Sequence, residues 1–335
     1  MTNAAAKPFT SVKARLKRLV GRLAGTSAPP KKPPSLEEGR HYRIAETGQI
    51  FQFSFGHRRW FRTVEDVAAV HGQQPPTPVT QAAAGGFPVG PPMPLVSAAA
   101  LAQLLDTSDS QQHIREAFCR AFSGRGYEIG AGYRPTVVPA DSHVTYLDKF
   151  TFEEAKDGSF VSVRNKRDSV DFVDVTHFEA MGELPSVPSA SADFIIACHV
   201  IEHVPDAIRA LATACDRLKP GKPLFLVVPH RDHMFDRQRP VTSLQHFVAD
   251  SLSPEPPMLD HYLEYARLSQ AREDWIEHGQ AMFAKGADFH PHTFTPDSMR
   301  ELLAHLQGHG MFASFDIKTP ARVEALLEFY AVIIR

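Results

Sequence analysis

Two closely spaced glycines follow a short apolar stretch, residues 126–129, that is predicted to be a buried strand. Gly130 and Gly132 would let the backbone approach a ligand closely, at the carboxyl edge where parallel sheets bind nucleotides. Asp148 ends the next predicted strand, residues 144–147, where a carboxylate can accept hydrogen bonds from two ribose hydroxyls. The pattern indicates a site for a nucleoside-containing cofactor. The alternative is a plain strand-to-helix turn beside a surface aspartate.

Two classes of cofactor use this geometry, and Pro135 helps to separate them. A dinucleotide enzyme needs Gly-x-Gly-x-x-Gly, whose third glycine lets the helix pack closely under the pyrophosphate. Pro135 occupies that third position. S-adenosylmethionine carries no phosphate, so its helix need not approach so closely, and Glu128 could hold its amino-acid end. The residues therefore favour S-adenosylmethionine.

The elements that would position these residues alternate between strands and helices. A helix is predicted at residues 205–218, and the continuous apolar run that follows is typical of a strand buried in a parallel sheet. This alternation predicts an α/β fold with a Rossmann-like, doubly wound, mostly parallel seven-stranded sheet that ends in an antiparallel strand pair. The other strands are predicted at 170–173, 194–197, 223–228, 313–317 and 329–334, with a helix at 322–327.

The composition is that of an ordinary globular protein. Of 335 residues, 43% are hydrophobic and 22% are charged, which excludes a disordered, collagen-like or small disulfide-rich chain. Neither a transmembrane helix nor a signal peptide is predicted. The three cysteines, Cys119, Cys198 and Cys215, are too widely spaced for a zinc motif or a disulfide framework and fit a reducing cytoplasm.

The N-terminal arm, residues 1–40, differs from the rest in charge. It carries nine Lys or Arg against two Glu, a net charge of +7, so the remaining residues carry −9 of the total of −2. Apolar residues at helical spacing leave two interpretations: an amphipathic helix that contacts an anionic membrane or a partner, and a flexible leader, which we favour. We expect a cytoplasmic protein, with peripheral contact at the inner membrane as the alternative.

Three further regions are predicted after the arm. Residues 41–72 are expected to form a small β-rich module, in which Arg58 and Arg59 beside Trp60 either bind a sugar or phosphate or, as we favour, pack at the surface. Residues 73–110 are expected to form a Pro/Gly-rich linker and a helix. The main domain would then span residues 111–335, with an inserted lid at about 230–295.

Several motifs of the main domain, taken together, resemble a known family. They are Glu128-Ile129-Gly130-Ala131-Gly132, Tyr146-Leu147-Asp148, residues 193–206 and the turn and strand at 218–226. They look like those of class I S-adenosylmethionine-dependent methyltransferases, closest to the methyltransferase-11-like bacterial group. The resemblance covers residues 115–335, and it departs from the family in lacking a third glycine near Arg134 and a Gly-Gly pair at Gly221-Lys222.

The resemblance implies a role for each matching residue. Glu128 and the turn Gly130-Ala131-Gly132 would line the methionine portion of S-adenosylmethionine, and Asp148 would bind its ribose. Asp174 and Val175 would border the adenine. Cys198 and His199 would lie beneath the sulfonium at the end of the fourth strand.

Histidines at predicted strand ends are candidates for a general base. A hydroxyl acceptor would benefit from such a base, and histidine suits it near neutral pH. His199, His203 and His230 face the expected cleft, and Asp232 follows close behind His230. For His203, helix capping or packing is an equal alternative.

Two further features concern the lid. His290 and His292, two apart on an extended segment, would point to one face and could join His246 in a metal site, but structural or substrate-contact roles are favoured and no metal site is predicted. Arg237 and Arg239 would be available to meet an anionic acceptor.

The sequence thus predicts a methyltransferase for a small-molecule or glycan acceptor, with no nucleic acid as partner because the body is mildly acidic. A non-catalytic, cofactor-binding scaffold is the main alternative. A nicotinamide-dependent oxidoreductase is less favoured because of Pro135.

Overall fold

The structure is a computed structural model, and it describes residues 36–38, 40–54, 57–61, 67, 74–87, 89, 111–150, 173–253, 258–319 and 327–335. The chain divides into two units, Met1–Glu37 and Glu38–Arg335. The predicted arm and the predicted helix at 322–327 lie almost entirely outside the described residues.

A four-stranded sheet precedes the main domain, as predicted for the β-rich module. Its strands run in the order β3-β2-β1-β4, antiparallel except that β4 joins β1 in parallel. Phe51 and Phe53 on β2 are buried, as the alternation of apolar and polar residues predicts for a half-buried strand. The elements are β1 (His41–Ile44), β2 (Ile50–Ser54), β3 (His57–Trp60), β4 (Thr77–Val79) and the helix α1 (Gln81–Gly85).

The prediction of a linker over residues 73–110 is wrong at its start. The strand β4 and the helix α1 lie within that range, and Val79, Ala83 and Ala84 are buried. Proline misled the sequence analysis here because Pro78 lies on an edge strand, where a residue without a backbone N–H is tolerated.

The main domain contains the seven-stranded, mostly parallel sheet that the sequence predicts. Its order is β10-β11-β9-β8-β5-β6-β7, and β11 alone runs opposite to the other six strands, antiparallel to both β10 and β9. In chain order the elements are α2 (Gln111–Cys119), β5 (Gly124–Ile129), β6 (Ser142–Asp148), β7 (His177–Phe178), β8 (Phe194–Cys198), α3 (Ala207–Arg217), β9 (Pro223–Pro229), α4 (Leu244–Leu252), α5 (Met258–Glu264), α6 (Trp275–Lys285), α7 (Pro296–Gly308), β10 (Ser314–Lys318) and β11 (Glu328–Ile334).

The third predicted strand lies almost entirely outside the described residues. Of the predicted range 170–173, only Val173 is described, and it belongs to no strand. The strand that pairs with β6 is β7, which begins four residues later.

The central strands are buried on both faces. On β8, Ile195 and Ala197 pack in the hydrophobic cluster on one side of the sheet, whereas Phe194 and Ile196 pack in the cluster on the other side. This alternation is the two-residue period of a strand, and burial on both faces explains why β8 and β9 are apolar throughout.

The helix α3 fixes the chain that follows β8. Its N-cap, Asp206, accepts a hydrogen bond from the backbone N–H of Arg209 at 2.9 Å. Its buried residues recur at helical spacing, so one face packs on the sheet: Ala207, Ala210, Leu211, Ala214 and Cys215. The short segment between β8 and α3 is thereby held at the carboxyl edge of the sheet.

The two arginines of β3 are buried, not at the surface. Arg59 is 1% exposed, and its guanidinium donates hydrogen bonds to the carbonyl oxygens of Val138 (2.9 Å) and Ala140 (2.8 Å) in the main domain. Arg58 donates through Nε to the carbonyl oxygen of Phe87 at 2.8 Å. The packing role is therefore the correct one for Arg59, and this packing joins the small sheet to the main domain.

No helix among the described residues is both long enough and apolar enough to cross a bilayer.

The first testable prediction concerns the Arg59 contact. Replacing Arg59 by alanine leaves buried carbonyl oxygens without donors, so we expect Arg59→Ala to lower the free energy of unfolding by about 2–4 kcal/mol. Urea denaturation of the full chain measures this change. The matched control is Arg43→Ala on the exposed side of β1, which should change stability by less than about 0.5 kcal/mol. An equally small loss for Arg59→Ala would show that the contact does not join the two sheets.

Candidate active site

The glycine turn that follows β5 lies against the neighbouring strand β6. Gly130 has φ +70° and Gly132 φ +53°, values that side-chain-bearing residues rarely adopt. The N–H of Gly130 donates to the carbonyl oxygen of Leu147 at 2.8 Å. A Cβ atom on Gly130 would lie 2.8 Å from Cγ2 of Val200, whereas one on Gly132 would meet nothing within 4 Å. The turn is thus closed on the Gly130 side and open beside Gly132.

Asp148 lies beside this turn, as the sequence predicts. It is the last residue of β6, directly after the Leu147 that pairs with Ile129 of β5. Its carboxylate is partly exposed and accepts a hydrogen bond from the N–H of Phe150 at 3.3 Å. Burial raises the pKa of Asp148 above its usual value.

Asp174 and Val175 also lie near the glycine turn. The N–H of Val173 donates to the carbonyl oxygen of Gly132 at 3.1 Å, which holds the start of this segment against the turn. Asp174 is exposed and Val175 is half-buried. The turn, the end of β6 and this segment therefore meet at one edge of the sheet, and their contacts with a cofactor stay predictions.

Glu128 shapes the loop that follows the glycines. Its carboxylate is fully buried and accepts hydrogen bonds from the N–H of Thr136 at 3.0 Å and from the Thr136 hydroxyl at 2.7 Å. Burial raises the pKa of Glu128 to about 7. Its predicted contact with the amino-acid end of a cofactor stays a prediction, but the role that the structure shows is to close the loop from Gly130 to Pro135.

Cys198 ends β8 as a buried neutral thiol. Its sulfur lies 3.6 Å from the hydroxyl oxygen of Thr136, and burial raises its pKa to about 12. Ala131 of the glycine turn packs in the same hydrophobic cluster. Cys198 and the turn therefore belong to one wall of the candidate site.

His199 lies between two buried carboxylates. Its backbone adopts the left-handed conformation, with φ +55°, directly after β8. Nε2 lies 2.8 Å from Oε2 of Glu328, and Nδ1 lies 3.3 Å from Oε1 of Glu202. The two carboxylates outweigh the effect of burial and raise the pKa of His199 to about 9. At neutral pH this pKa favours the imidazolium, which has no free lone pair, so the predicted role of His199 as a general base is disfavoured.

Glu328 organises the charges around His199. Arg115 of α2 donates to both of its oxygens, at 3.0 and 2.6 Å, and the Tyr330 hydroxyl donates at 2.8 Å. The hydrogen bonds and positive charges of His199 and Arg115 outweigh burial and lower the pKa of Glu328 to about 2, so it is an anion at neutral pH. Neither Arg115 nor Glu328 is among the predicted site residues. The sequence offered one signal for Glu328, which is that it immediately precedes the apolar run 329–334 of a predicted buried strand.

His203 is also paired with a carboxylate. Its Nδ1 lies 3.0 Å from Oδ2 of Asp288, and Lys149 contacts the same carboxylate. Hydrogen bonding to Asp288 and the charge of Glu202 raise the pKa of His203. The base role predicted for His203 is disfavoured for the same reason as for His199, and the packing alternative is supported.

His230, at the end of β9, is the predicted base that stays neutral. Burial and the nearby His233 lower its pKa. The N–H of Asp232 donates to Nδ1 of His230 at 3.3 Å, so the ring proton of the neutral imidazole resides on Nε2. A base role would require His230 to exchange this bond for one to the acceptor, and it stays a prediction.

Of the two lid arginines that were predicted to be available to an acceptor, only Arg237 is exposed. Arg239 is 1% exposed and contacts Asp236 (3.1 Å), Glu264 (2.9 Å) and the carbonyl oxygen of Pro291 (2.8 Å). Arg239 therefore holds the inserted segment together and is not available to an anionic acceptor.

The family model Methyltransf_23, described as a methyltransferase domain, matches residues 106–307. No curated protein matches the chain.

Several solved methyltransferase structures are similar at low sequence identity. A possible histamine N-methyltransferase from Thermotoga maritima is 16% identical, with 70% of this chain and 94% of that chain covered and a TM-score of 0.37. A methyltransferase from Mesorhizobium loti is 14% identical, with 69% and 100% covered and a TM-score of 0.37. The citrinin polyketide synthase CMeT domain is 14% identical, with 63% of this chain but only 46% of that chain covered and a TM-score of 0.34.

The second testable prediction concerns the charge of His199. Its pKa is about 6.5 in the unfolded chain and about 9 in the folded protein, so its stabilising effect is complete below pH 6.5 and is lost as the pH rises through 9. Because the side chain is 32% exposed, we expect a loss of only about 1–2 kcal/mol between those pH values.

Urea denaturation across this pH range measures the loss. His199→Gln should show a shallower decline than the wild type, and His177→Gln, an exposed control on β7, should keep the wild-type slope. An NMR titration of the His199 ring gives its pKa directly if the variant does not fold. A ring that titrates at or below about 6.5 would contradict the ion-paired state.

Proposed function

The chain belongs to the methyltransferase-domain family of the class I S-adenosylmethionine-dependent methyltransferases, and from this premise we propose that it transfers a methyl group to a small-molecule or glycan acceptor. The observation that carries the proposal is the meeting of the glycine turn, Asp148 and the 173–175 segment at one edge of the sheet.

The residues at this edge fit S-adenosylmethionine. Space is open beside Gly132, so the backbone can approach a ligand there without a side chain in the way. Asp148 is partly exposed, and a carboxylate at a strand end can accept hydrogen bonds from ribose hydroxyls. Asp174 and Val175 would border the adenine. Pro135 stands where a dinucleotide enzyme has its third glycine, which favours a cofactor without a pyrophosphate.

When bound, S-adenosylmethionine supplies a methyl group that is already reactive because it is attached to a sulfonium. The protein then has to hold the acceptor in line and exclude water. Thr136 binds Glu128 and keeps the glycine loop in place. The neutral thiol of Cys198 adds no charge beside the loop, whereas His199 carries a positive charge that Glu328 and Glu202 balance.

The net charge of the protein supports a small-molecule or glycan acceptor over a nucleic acid. The residues after the arm carry a net charge of −9, which does not favour the phosphate backbone of DNA or RNA. Arg237 is the exposed member of the lid arginine pair and could meet an anionic group on a small acceptor. The basic arm could add a protein or membrane contact, and we propose that the protein acts in the cytoplasm.

The state of the three predicted bases is also compatible with the alternative of a non-catalytic scaffold. Of the three predicted bases, His199 and His203 are ion-paired, and the Nδ1 lone pair of His230 accepts a backbone N–H. Such a site suits either an acceptor that is nucleophilic without a base or a protein that binds the cofactor without turnover. Release of S-adenosylhomocysteine with a panel of amine, thiol, carboxylate and sugar acceptors separates the two.

The third testable prediction identifies the cofactor. In calorimetric titrations we expect S-adenosylmethionine and S-adenosylhomocysteine to bind with dissociation constants on the order of 1–100 μM, and NAD not to bind. Binding of NAD alone would support the oxidoreductase alternative. Binding of none of the three would contradict the methyltransferase proposal.

The fourth testable prediction assigns Asp148. Asp148→Ala should weaken S-adenosylmethionine binding by about 1–3 kcal/mol, or about 5- to 150-fold, because the ribose would lose its acceptor. The matched control is Asp141→Ala, which should leave the affinity unchanged. Asp141 is exposed and immediately precedes the first residue of β6, at the end of the strand opposite to Asp148. Equal affinities for the wild type and Asp148→Ala would refute the ribose contact.

A further inference from the structure

Four side chains of the inserted segment converge on one another. His246 and Asp250 lie four residues apart on α4 and therefore on the same face of that helix. His261 comes from α5, and His292 comes from the chain just before α7. The sequence analysis considered His246 with His290 and His292 but did not include Asp250 or His261.

His290 and His292 point to different clusters. Nδ1 of His290 lies 2.6 Å from Oδ2 of Asp236, and its ring packs on that of His203. The ring of His292 packs on those of His246 and His261. The prediction that these two histidines share one face is wrong because residues 290–293 form no regular strand, so the two-residue alternation does not apply.

The polar atoms of the cluster have the spacing of metal ligands. Oδ2 of Asp250 lies 3.2 Å from Nε2 of His246 and 3.7 Å from Nε2 of His261, and the two nitrogens are 3.3 Å apart. Nε2 of His292 lies 3.7 Å from the same oxygen. A tetrahedral zinc ion with bonds of about 2.0–2.2 Å holds its ligand atoms about 3.3–3.6 Å apart.

The cluster contains buried polar atoms without hydrogen-bond partners. Asp250, His261 and His292 are 2%, 5% and 0% exposed. Oδ2 of Asp250 and Nδ1 of His292 are buried and make no hydrogen bond among the described residues. Buried polar groups of this kind are costly unless something pairs with them, and a cation at the centre of the cluster would pair with the Asp250 carboxylate.

Backbone carbonyls orient two of the rings. Nδ1 of His261 lies 3.1 Å from the carbonyl oxygen of Pro291, an arrangement that leaves a lone pair on Nε2 towards the cluster. Nε2 of His292 lies 2.9 Å from the carbonyl oxygen of Pro205, so this ring must turn to present a lone pair as the fourth ligand. His246 is 46% exposed at the side chain and leaves a path for an ion to enter.

We propose that His246, Asp250, His261 and His292 bind a divalent transition-metal ion, with zinc as the best match. Three imidazoles and one carboxylate suit zinc better than calcium or magnesium, which prefer oxygen ligands. Four protein ligands make the site closed and structural, not catalytic. The ion would tie α4 and α5 to the chain before α7. This proposal does not depend on methyl transfer.

A second group of possible ligands, Glu202, His203 and His290, is a weaker candidate. Its histidines already face carboxylates, since His203 lies 3.0 Å from Asp288 and His290 lies 2.6 Å from Asp236. Glu202 and His203 also have buried polar atoms without hydrogen-bond partners in the described part of the chain, but each histidine of this group already has a carboxylate of its own to pair with.

The fifth testable prediction is metal binding by the full chain. After chelator treatment and dialysis, we expect one zinc ion per chain by elemental analysis and a dissociation constant below about 1 μM in a competition titration. Cobalt in place of zinc should give the intense visible absorption of four-coordinate cobalt. Removal of the metal should lower the melting temperature of the wild type by several degrees.

Variants locate the ion. His261→Ala and the isosteric Asp250→Asn should each weaken zinc binding by at least about 100-fold and abolish the cobalt spectrum. His278→Ala on α6 is the matched control and should bind as the wild type does. His290→Gln should also retain binding, because its ring lies in the other cluster.

Three results would overturn the proposal. They are no stoichiometric binding by the wild type, undiminished binding by Asp250→Asn, and loss of binding in His290→Gln with retention in Asp250→Asn. Asp250→Asn keeps the test decisive even if His261→Ala does not fold.

Discussion

The buried carboxylate of Glu328 is the constraint on which the candidate active site depends. An ionised carboxylate inside a protein must be paired, and removing a partner leaves an uncompensated charge that costs about 3–5 kcal/mol. The partners of Glu328 come from three elements: Arg115 from α2, His199 from the end of β8 and Tyr330 from β11 itself. The relative positions of α2, β8 and β11 are thus fixed by one charged group at the carboxyl edge of the sheet.

The same pairing continues across the edge towards the inserted segment. His199 also faces Glu202, and the neighbouring His203 faces Asp288, which Lys149 contacts. Lys149 follows Asp148 directly, so this row of charges ends beside the predicted ribose contact. His199 and His203 are therefore better understood as counter-ions than as bases. Their charge state follows from the acidic residues around them, because each carboxylate stabilises the protonated imidazole.

The sequence predicted the parts of the molecule that rest on local patterns. Apolar periodicity and turn residues act over a few positions of the chain. They were enough to predict where the central strands and the helix after β8 lie along the chain, and to predict the glycine turn and Asp148. Arg115 and Glu328 are 213 residues apart, and Arg59 reaches carbonyls about 80 residues away. No spacing rule reports such contacts, so the charge states of His199 and His203 could not be predicted either. The strand β4 and the helix α1 were not predicted, because the prolines of this region suggested a linker. Pro78 in fact lies on an edge strand.

The segment from His290 to His292 joins the two clusters of the inserted region. Its backbone is held by Arg239, whose guanidinium donates to the carbonyl oxygens of His290 and Pro291 at 2.6 and 2.8 Å. His290 turns towards His203 at the sheet edge, and His292 turns towards His246 and His261. In the first cluster His203 and His290 each face a carboxylate of their own, whereas in the second three histidines face the single carboxylate of Asp250. Because both clusters share one short segment, an ion in the second would also fix the backbone that presents His290 to the first, and the structural cluster would thereby support the geometry of the sheet edge without contacting it.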